Sequence, residues 1–561
     1  MTLRRALLIG LVIGLVILPF RVTAGYALGE PGREELAQTN ADCDRMQELV
    51  GAFYYAQDSW RLPLFQAQNL GWPDGTNIVY MDCVPFAALL LKLVNQFHPV
   101  LFNYLGLWIA FCFALNPVFF CWNLYELNVR DGRLLAAGAI IASCVPILLF
   151  RHGQPALCAQ FLILWALALY FRSRRLGFSG RMAAAYAGLI LFTLLVSVYL
   201  LVMVWAIYFV ALVQAGWDRR LGWRRAAAYF IGTLGGCLAA MFLCGHLTLN
   251  QGLPPPGNGF GSLSMNMVSP FWPWHSAFAF TDRSADATGW LYEGYNYLGA
   301  GALLLLVIHG VASWREILHQ VRRHALLVAI LSLLVVAAWS NKVYFWHFLI
   351  FQYHFPAYEH IMANFRVSGR FFWPVNYSLL LALVVLTARR FSARTATLLL
   401  TGCALLQAYD THVFPQLGTI QAPTTVSVEN TALWENVMAH FSRVEIYPAF
   451  DASRGQFFNA FIQYVAARKN LPINSVYNAR PPVNTDFEYK QADHPLVREH
   501  VIYFFQKSDY SLARLVTVLQ GQRCSALEGD DCFLVATALP EGLVAQSGGK
   551  LRPLPPVEFS K

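Results

Sequence analysis

The chain is poor in charge. Asp, Glu, Lys and Arg make up 13% of its 561 residues and hydrophobic residues 57%, against about 25% and about 45–50% in soluble globular proteins. That excludes the string of soluble domains its length would otherwise suggest. Acid is scarcer than base, with 32 Asp and Glu against 41 Lys and Arg and a net charge of +9. Most of the arginines stand in short loops between apolar runs, so the basic balance reads as a topology signal and argues against a nucleic-acid partner. No CxxC and no Cys/His metal spacing occurs among the eleven cysteines, which excludes a zinc framework. Cys112, Cys121, Cys144, Cys158, Cys237, Cys244 and Cys403 lie in apolar runs, where Cys is a small hydrophobe. Cys43 with Cys83, and Cys524 with Cys532, fall in polar segments, and either pair could close a disulfide in an oxidising compartment. A repeat of 20–50 residues is also lacking, as are halves of inverted topology, which counts against the large transporter folds.

What the chain does have is long apolar runs. Each membrane span needs about 20 mostly apolar residues, and the hydrophobic segments predict about eleven: 6–24, 99–124, 133–150, 156–171, 183–196, 199–216, 226–248, 298–313, 325–340, 374–388 and 395–409. Met1–Ala24 has the look of a signal peptide, with Arg4 and Arg5 before an apolar core, but lacks a clean small-x-small cleavage site; with so many spans after it, an uncleaved first helix is expected. The run 183–216 is too long for one helix and is split near Ser197–Tyr199.

Arginines alternate with the spans. Arg4/Arg5, Arg130/Arg133, Arg172/Arg174/Arg175, Arg219/Arg220/Arg224/Arg225, Arg315/Arg322/Arg323 and Arg389/Arg390/Arg394 fall on every second loop and mark the cytoplasmic side. The long loops 25–98, 249–297 and 341–373 and the segment after residue 410 then face the periplasm or exterior, which places the chemistry there. A bacterial inner-membrane protein with a cytoplasmic N-terminus is the expected topology. In the first loop, Asp44–Gln57 has helical spacing with Met46, Leu49, Val50, Phe53 and Tyr54 on one side, and Pro85–Phe97 is a second amphipathic helix with Leu89, Leu90, Leu93 and Val94 apolar. Both are expected to lie in the interface. Residues 425–561 are more charged and carry β-type runs at Val444–Tyr447, Val501–Phe505 and Phe533–Ala536, with helix-like stretches Phe457–Arg468 and Ser511–Leu519 between them. The fold class is therefore a polytopic α-helical membrane protein, 1–410, with a C-terminal soluble α/β domain, 411–561.

Several polar residues on the long-loop side could carry chemistry. Asp42 and Asp44 stand about 200° apart on a helix, so only one can face a given pocket; a carboxylate there can take a proton or help hold a divalent metal, or simply favour a helix N-terminus. Asp82 precedes Pro85 and is expected to cap the second helix, while able to line a site as well. Arg366 and Arg370 flank Ser368-Gly369 where the chain re-enters the membrane, on the face where basic residues are scarce. Arginine matches phosphate bidentately, and the alternative is headgroup snorkelling. His152 sits in a tight turn and could exchange protons or be merely solvated. Asp282, Arg283, Asp286 and Glu293 cluster in sequence with Trp272, Trp274, Trp290 and Tyr292, a composition that suits sugar sites and membrane interfaces alike.

Trp60-Arg-Leu-Pro-Leu64, Gly71-Trp-Pro-Asp-Gly-Thr-Asn77, Asp82-Cys-Val-Pro85, Gly153-Gln-Pro-Ala-Leu157, Glu293-Gly-Tyr-Asn-Tyr-Leu-Gly299 and Ser368-Gly-Arg-Phe-Phe-Trp-Pro374 resemble, in that order, the bacterial membrane family of domain of unknown function 6311, which is grouped with GT-C-type polytopic glycosyltransferases. The resemblance runs along most of residues 1–410 and hardly touches 425–561. It implies a GT-C-like transmembrane fold and a glycosyltransferase moving a sugar from a polyprenyl-phosphate donor to an envelope glycan or lipid acceptor on the periplasmic face. It further implies an acid in the first loop as base or metal ligand. Asp44 matches that position, with Asp42 in reserve, and magnesium or manganese would be the cation. Arg366 and Arg370 would hold the donor phosphate, and Asp82, His152, Asp282, Glu293, Trp60 and Tyr295 would line the substrate. Glu48 and Gln154 stand where the family pattern has histidine. Two other readings stay open: a transporter or flippase of lipid-linked glycans, which would need ionisable groups within the spans, and a non-catalytic scaffold of envelope polysaccharide assembly.

Overall fold

The structure is a computed structural model that describes residues 1–29, 43–247, 259–278, 285–417, 429–449, 456–476 and 496–554; in the helix Cys43–Gln57 side chains are described from Arg45 onward. The chain divides into two compact units. One comprises Met1–Ala24, Gly106–Ala240 and Leu253–Thr419; the other Gly25–Leu105, Met241–Gly252 and Ile420–Lys561.

The first unit is helical. Each of the eleven predicted segments contains helix, but among the described residues seven are long and apolar enough to cross a membrane: Leu3–Phe20, Tyr104–Glu126, Gly132–Leu149, Pro155–Leu176, Val198–Trp217, Trp223–Cys244 and Ser368–Arg390. An eighth is reached if Ala300–Ala312 and Trp314–Arg323, bent by 98°, form one span; Gly180–Leu194 and Ala325–Trp339 are apolar but shorter. The expected break in 183–216 is present, since one helix ends at Leu194 and the next starts at Val198. The first helix packs through Gly10 and Gly14. A β-carbon on either would stand 2.7 Å from a backbone oxygen, that of Pro117 or Ala114, in the helix Tyr104–Glu126. Glycines four apart let two helix backbones touch without a hydrophobic drive between them. Polar pegs fix the other crossings. Tyr377 bonds Gln160 (2.8 Å) and Asn116 (3.2 Å), and the buried Gln407 amide donates to the carbonyls of Cys144 and Leu298, both at 3.1 Å. In an apolar surround each such group must find its partner inside the protein.

The second unit is built around a five-stranded sheet. Arg443–Tyr447 runs parallel to Val501–Gln506, which pairs antiparallel with Cys532–Ala536; Ser525–Glu528 and the short Arg552–Pro553 complete it. Three of these strands fall on the predicted β-type runs, and the helices Gln456–Arg468 and Leu512–Val518 on the predicted helical ones. Cys524 and Cys532 are free thiols, and Cys83 is free and buried; Cys43 has no described side chain.

The first loop belongs to this core, and here the structure departs from expectation. Every residue from Arg45 to Ala56 is buried, so Cys43–Gln57 is an interior helix and not an interfacial one. The Phe53 ring meets Tyr464 at 6.1 Å, the Tyr54 hydroxyl donates to the Leu471 carbonyl (2.7 Å), and Gln57 donates to that of Ala467 (2.7 Å). Its polar flank is covered too, because the Tyr104 hydroxyl caps the Glu48 carbonyl at 3.1 Å. Leu70 bridges Ile473, which in turn bridges the sheet at Val444, and Trp72 lies under Arg443 at 4.3 Å. The motif Gly71–Asn77 ends on Asn77, whose amide donates to the Cys244 carbonyl at 3.0 Å. Pro85–Phe97 is helical as predicted and keeps an exposed apolar face at Leu90, Leu93, Val94 and Phe97. Asp82 does not cap it. Pro85 opens the helix behind Val84 without a side-chain cap, and Asp82 is exposed with a left-handed backbone at φ 53°.

Candidate functional site

In the helical unit three separate motifs meet at Glu293. The short helix Pro146–Leu149 ends in a turn that carries Arg151. The 3₁₀ turn Leu291–Gly294 carries Glu293, and Ser368–Phe372 carries Arg370 at the start of a span. One carboxylate oxygen, Glu293 Oε2, accepts from Arg151 Nη1 at 2.6 Å and from Arg370 Nη2 at 3.2 Å. Arg151 also donates to the Glu293 backbone carbonyl and, at 2.8 Å, to Gln154 Oε1. The Arg370 guanidinium lies over the Tyr199 ring at 4.8 Å, and that of Arg151 between Phe150 (5.1 Å) and Trp373 (5.8 Å).

Small residues make this convergence possible. A β-carbon on Gly369 would come within 2.5 Å of Gly294 Cα, so the two turns touch backbone to backbone. Asn296 ties them, its amide donating to the carbonyls of both Gly294 and Gly369 at 2.9 Å. Electrostatics follow from the enclosure. Burial alone would raise the Glu293 carboxyl, but the two guanidinium charges and their hydrogen bonds outweigh it and hold it at about 2. Burial pulls Arg151 below its usual value against the attraction of Glu293. Two cations on one carboxylate leave the cluster one positive charge in excess, in surroundings where an uncompensated charge is costly.

Arg366 differs from Arg370. It is half-buried, packs its stem near the turn at Gly259, and makes no hydrogen bond or ion pair with any described residue. His152 turns Nδ1 onto the Leu149 carbonyl at 2.7 Å, a bond that shapes the turn. Tyr295 is buried against Phe150 at 4.7 Å, its hydroxyl reaching the His275 carbonyl at 3.4 Å; burial raises it, so it stays a neutral phenol. Asp286 accepts from the backbone of Thr288 and Leu291 and holds the loop that presents Glu293. The buried Asp410, at the end of an apolar helix, caps the helix Ala300–Ala312 through the Ala300 N–H at 2.7 Å and also accepts from Ser276.

Trp60 and Asp82 belong to the other unit. Trp60 is exposed and covers a buried ammonium: Lys92 Nζ stands 4.7 Å from its ring and 4.1 Å from that of Tyr55. Burial pushes Lys92 down to about 8. Asp42 and Asp282 lie outside the described residues, as does the side chain of Asp44. Among the described residues no three His, Cys, Asp or Glu come together as a metal site. Of the residues singled out in the sequence, the structure thus joins Glu293 and Arg370. It adds Arg151 and Gln154, and for Arg151 the signal was available: like Arg366 and Arg370 it is an arginine in a loop predicted to lie opposite the arginine-rich side.

Fold and site together define a multi-pass α-helical membrane protein with a separate α/β region and a buried arginine-rich cluster between its helices. Residues 7–412 match the family described as Domain of unknown function (DUF6311), and the chain belongs to that family. Residues 433–537 match the DUF6311 C-terminal domain, which corrects the expectation that the family likeness stops before the α/β region. No curated protein matches the chain. Among solved structures, the chain has a slight likeness to the Archaeoglobus fulgidus oligosaccharyltransferase tethered to an acceptor peptide containing the NVT sequon. The TM-score is 0.35 and the identity 11%, over 96% of this chain and 74% of that one.

Proposed function

We propose that the protein is a membrane glycosyltransferase that passes a sugar from a polyprenyl-phosphate donor to an envelope glycan or lipid acceptor on the periplasmic face of the bacterial inner membrane, with up to eleven helices crossing. The observation that carries this reading is the excess positive charge around Glu293. An enclosed cluster of two guanidiniums and one carboxylate favours an anionic group nearby, and a phosphate leaving group develops such charge as the sugar departs. Glu293 and Arg370 stand in two of the motifs that carry the resemblance to the GT-C-grouped family, and Gln154, which accepts from Arg151, stands in a third.

Roles follow from the surroundings. Arg366, without a described partner, is the residue that meets the donor phosphate. Arg370, committed to Glu293, positions the turn that presents Arg366 and adds to the field. Asp44 takes the proton of the acceptor hydroxyl as it attacks the anomeric carbon, while the bond to the phosphate oxygen breaks and its electron pair stays on the phosphate. His152, Tyr295, Trp60, Asp82 and Asp282 are the further residues proposed to bind substrate.

The test is transfer from radiolabelled polyprenyl-phosphate sugars to envelope glycan by purified protein. The wild type should transfer label, and Asp44→Asn should lose it by about 100-fold or more, the share of a general base. No transfer with any donor, together with full complementation of a deletion strain by Asp44→Asn, would remove the enzymatic reading and leave the scaffold one.

A further inference from the structure

After the apolar helix Ala325–Trp339 the chain folds into a two-stranded antiparallel hairpin, Lys342–Phe345 with Phe348–Gln352, turning at Trp346-His347. The inner strand is held by the protein. Met267 donates to the Tyr344 carbonyl at 2.9 Å, and the Asn266 side chain bonds the N–H (3.1 Å) and carbonyl (2.6 Å) of Trp346. The Trp346 ring meets Trp272 edge-on at 4.3 Å.

Among the described residues the outer strand has no such support. Phe348, Leu349, Ile350 and Phe351 are all between 46% and 60% exposed. Side chains alternate along a strand, so both of its faces are apolar, a pattern that water disfavours on either side. Exposed apolar residues continue at Phe355 and Ile361. The charge is one-sided as well: from Lys342 to Tyr358 there are Lys342, His347 and His354 but no Asp or Glu. The first acid beyond, Glu359, turns back onto Asn341 (3.1 Å) and His354 (3.0 Å).

What covers this patch follows from where it is joined. The hairpin leaves an apolar helix whose Leu333 and Val336 are themselves exposed, and the chain then runs into the candidate span Ser368–Arg390. The hairpin is thus joined in sequence to an exposed apolar helix on one side and a candidate span on the other. Tyr344, Trp346 and Tyr353 are of the type that gathers at the membrane–water boundary, and the cations suit anionic headgroups. Depth is limited by the backbone, because the free edge of the outer strand has N–H and C=O groups that hydrocarbon cannot satisfy. The headgroup and ester layer, with its water, can.

We infer that the hairpin Lys342–Gln352 is inserted in the membrane interface, with Phe348–Phe351 among the upper acyl segments and Lys342 and His347 at the anionic headgroups. This contact does not depend on glycosyl transfer. The test uses full-length protein carrying Ile350→Cys, labelled with a nitroxide and reconstituted in phosphatidylcholine–phosphatidylglycerol vesicles, with labelled wild type as the background. The expected ratio of oxygen to nickel-chelate accessibility is several-fold above that of a label at Glu541→Cys and below that of one at Leu333→Cys. A ratio equal to that at Glu541→Cys overturns the inference, and so does dipolar broadening between labels, which would assign the face to a second copy. Leu349→Cys, on the opposite face of the strand, must show the same order, and it decides the matter if Ile350→Cys fails to fold.

Discussion

Two clusters in the helical unit share a composition and differ in which partner is hidden. Each sets one glutamate between two arginines. At Glu126 the carboxylate side chain is 0% exposed, while Arg172 and Arg175, at 3.3 and 2.7 Å, are 34% and 35% exposed. At Glu293 the order is reversed: the arginines are 2% and 9% exposed and the carboxylate 13%. The first is an anchor, in which long side chains cover a buried acid while their charged ends reach solvent. Its arginines need nothing else. The second confines two guanidiniums where water cannot serve them, so they depend on the one carboxylate they share. The same three residue types thus bury the acid in one place and the bases in the other.

Glu293→Gln probes that contrast most severely. It leaves Arg151 and Arg370 side by side and buried, and should cost about 3–5 kcal/mol, read as a drop in the thermal midpoint of the detergent-solubilised protein. A loss within 0.5 kcal/mol, the usual scatter of surface changes, would mean the cluster is as well hydrated as its counterpart. Glu293 also sets a pH dependence. Its folded value of about 2 lies below the ordinary 4.5, so its contribution is complete above the unfolded value and is lost only as pH falls from about 4.5 through about 2. Stability curves of wild type and Glu293→Gln should run parallel above pH 5 and converge below it.

Arg370→Met removes one cation and leaves the Arg151–Glu293 pair neutral, so a smaller loss of about 1.5–3 kcal/mol is expected, that of a charged hydrogen bond. Arg366→Ala should leave the thermal midpoint unchanged yet weaken retention of a polyprenyl-phosphate sugar about tenfold, near 1.4 kcal/mol. Equal lipid binding by wild type and the Arg366→Ala/Arg370→Ala double variant would end the phosphate role of both. The mildest change should be Glu126→Gln, at under about 1 kcal/mol, because Arg172 and Arg175 can turn to water and the amide oxygen can still accept from Trp122 Nε1, now 3.1 Å from the carboxylate.

The helices were legible because hydrophobic runs of span length are a one-dimensional signal, and the breaks near Ser197 and before Pro85 were marked by their own residues. Strands Arg443–Tyr447 and Val501–Gln506 were legible for the same reason. The helix Cys43–Gln57 was legible as a helix but not in its setting: Arg45, Gln47 and Glu48 suggest a wet face, and nothing local tells that it is buried. Lys342–Gln352 was not legible as a hairpin because its strands turn at Trp346-His347, which carries none of the Asn-Gly or Asp-Gly signals of a tight hairpin turn. The ion pairs escaped because Glu293 is 142 residues from Arg151 and 77 from Arg370, and periodicity does not reach across such distances. What pointed to Arg370 was an arginine in a loop predicted to face away from the arginine-rich side, and the same signal holds for Arg151.

The bond from Tyr54 to Leu471 spans 417 residues, and that separation has a consequence for how the protein is made. At about 5–20 residues per second of synthesis, the helix Cys43–Gln57 is complete roughly 20–80 s before the helix Gln456–Arg468 that covers it exists. During that interval Phe53, Tyr54 and their neighbours have no native shelter, so the nascent loop is the stretch of this chain most in need of a chaperone. A gene truncated between residues 410 and 456 should leave a protein that inserts its spans and still goes to the protease.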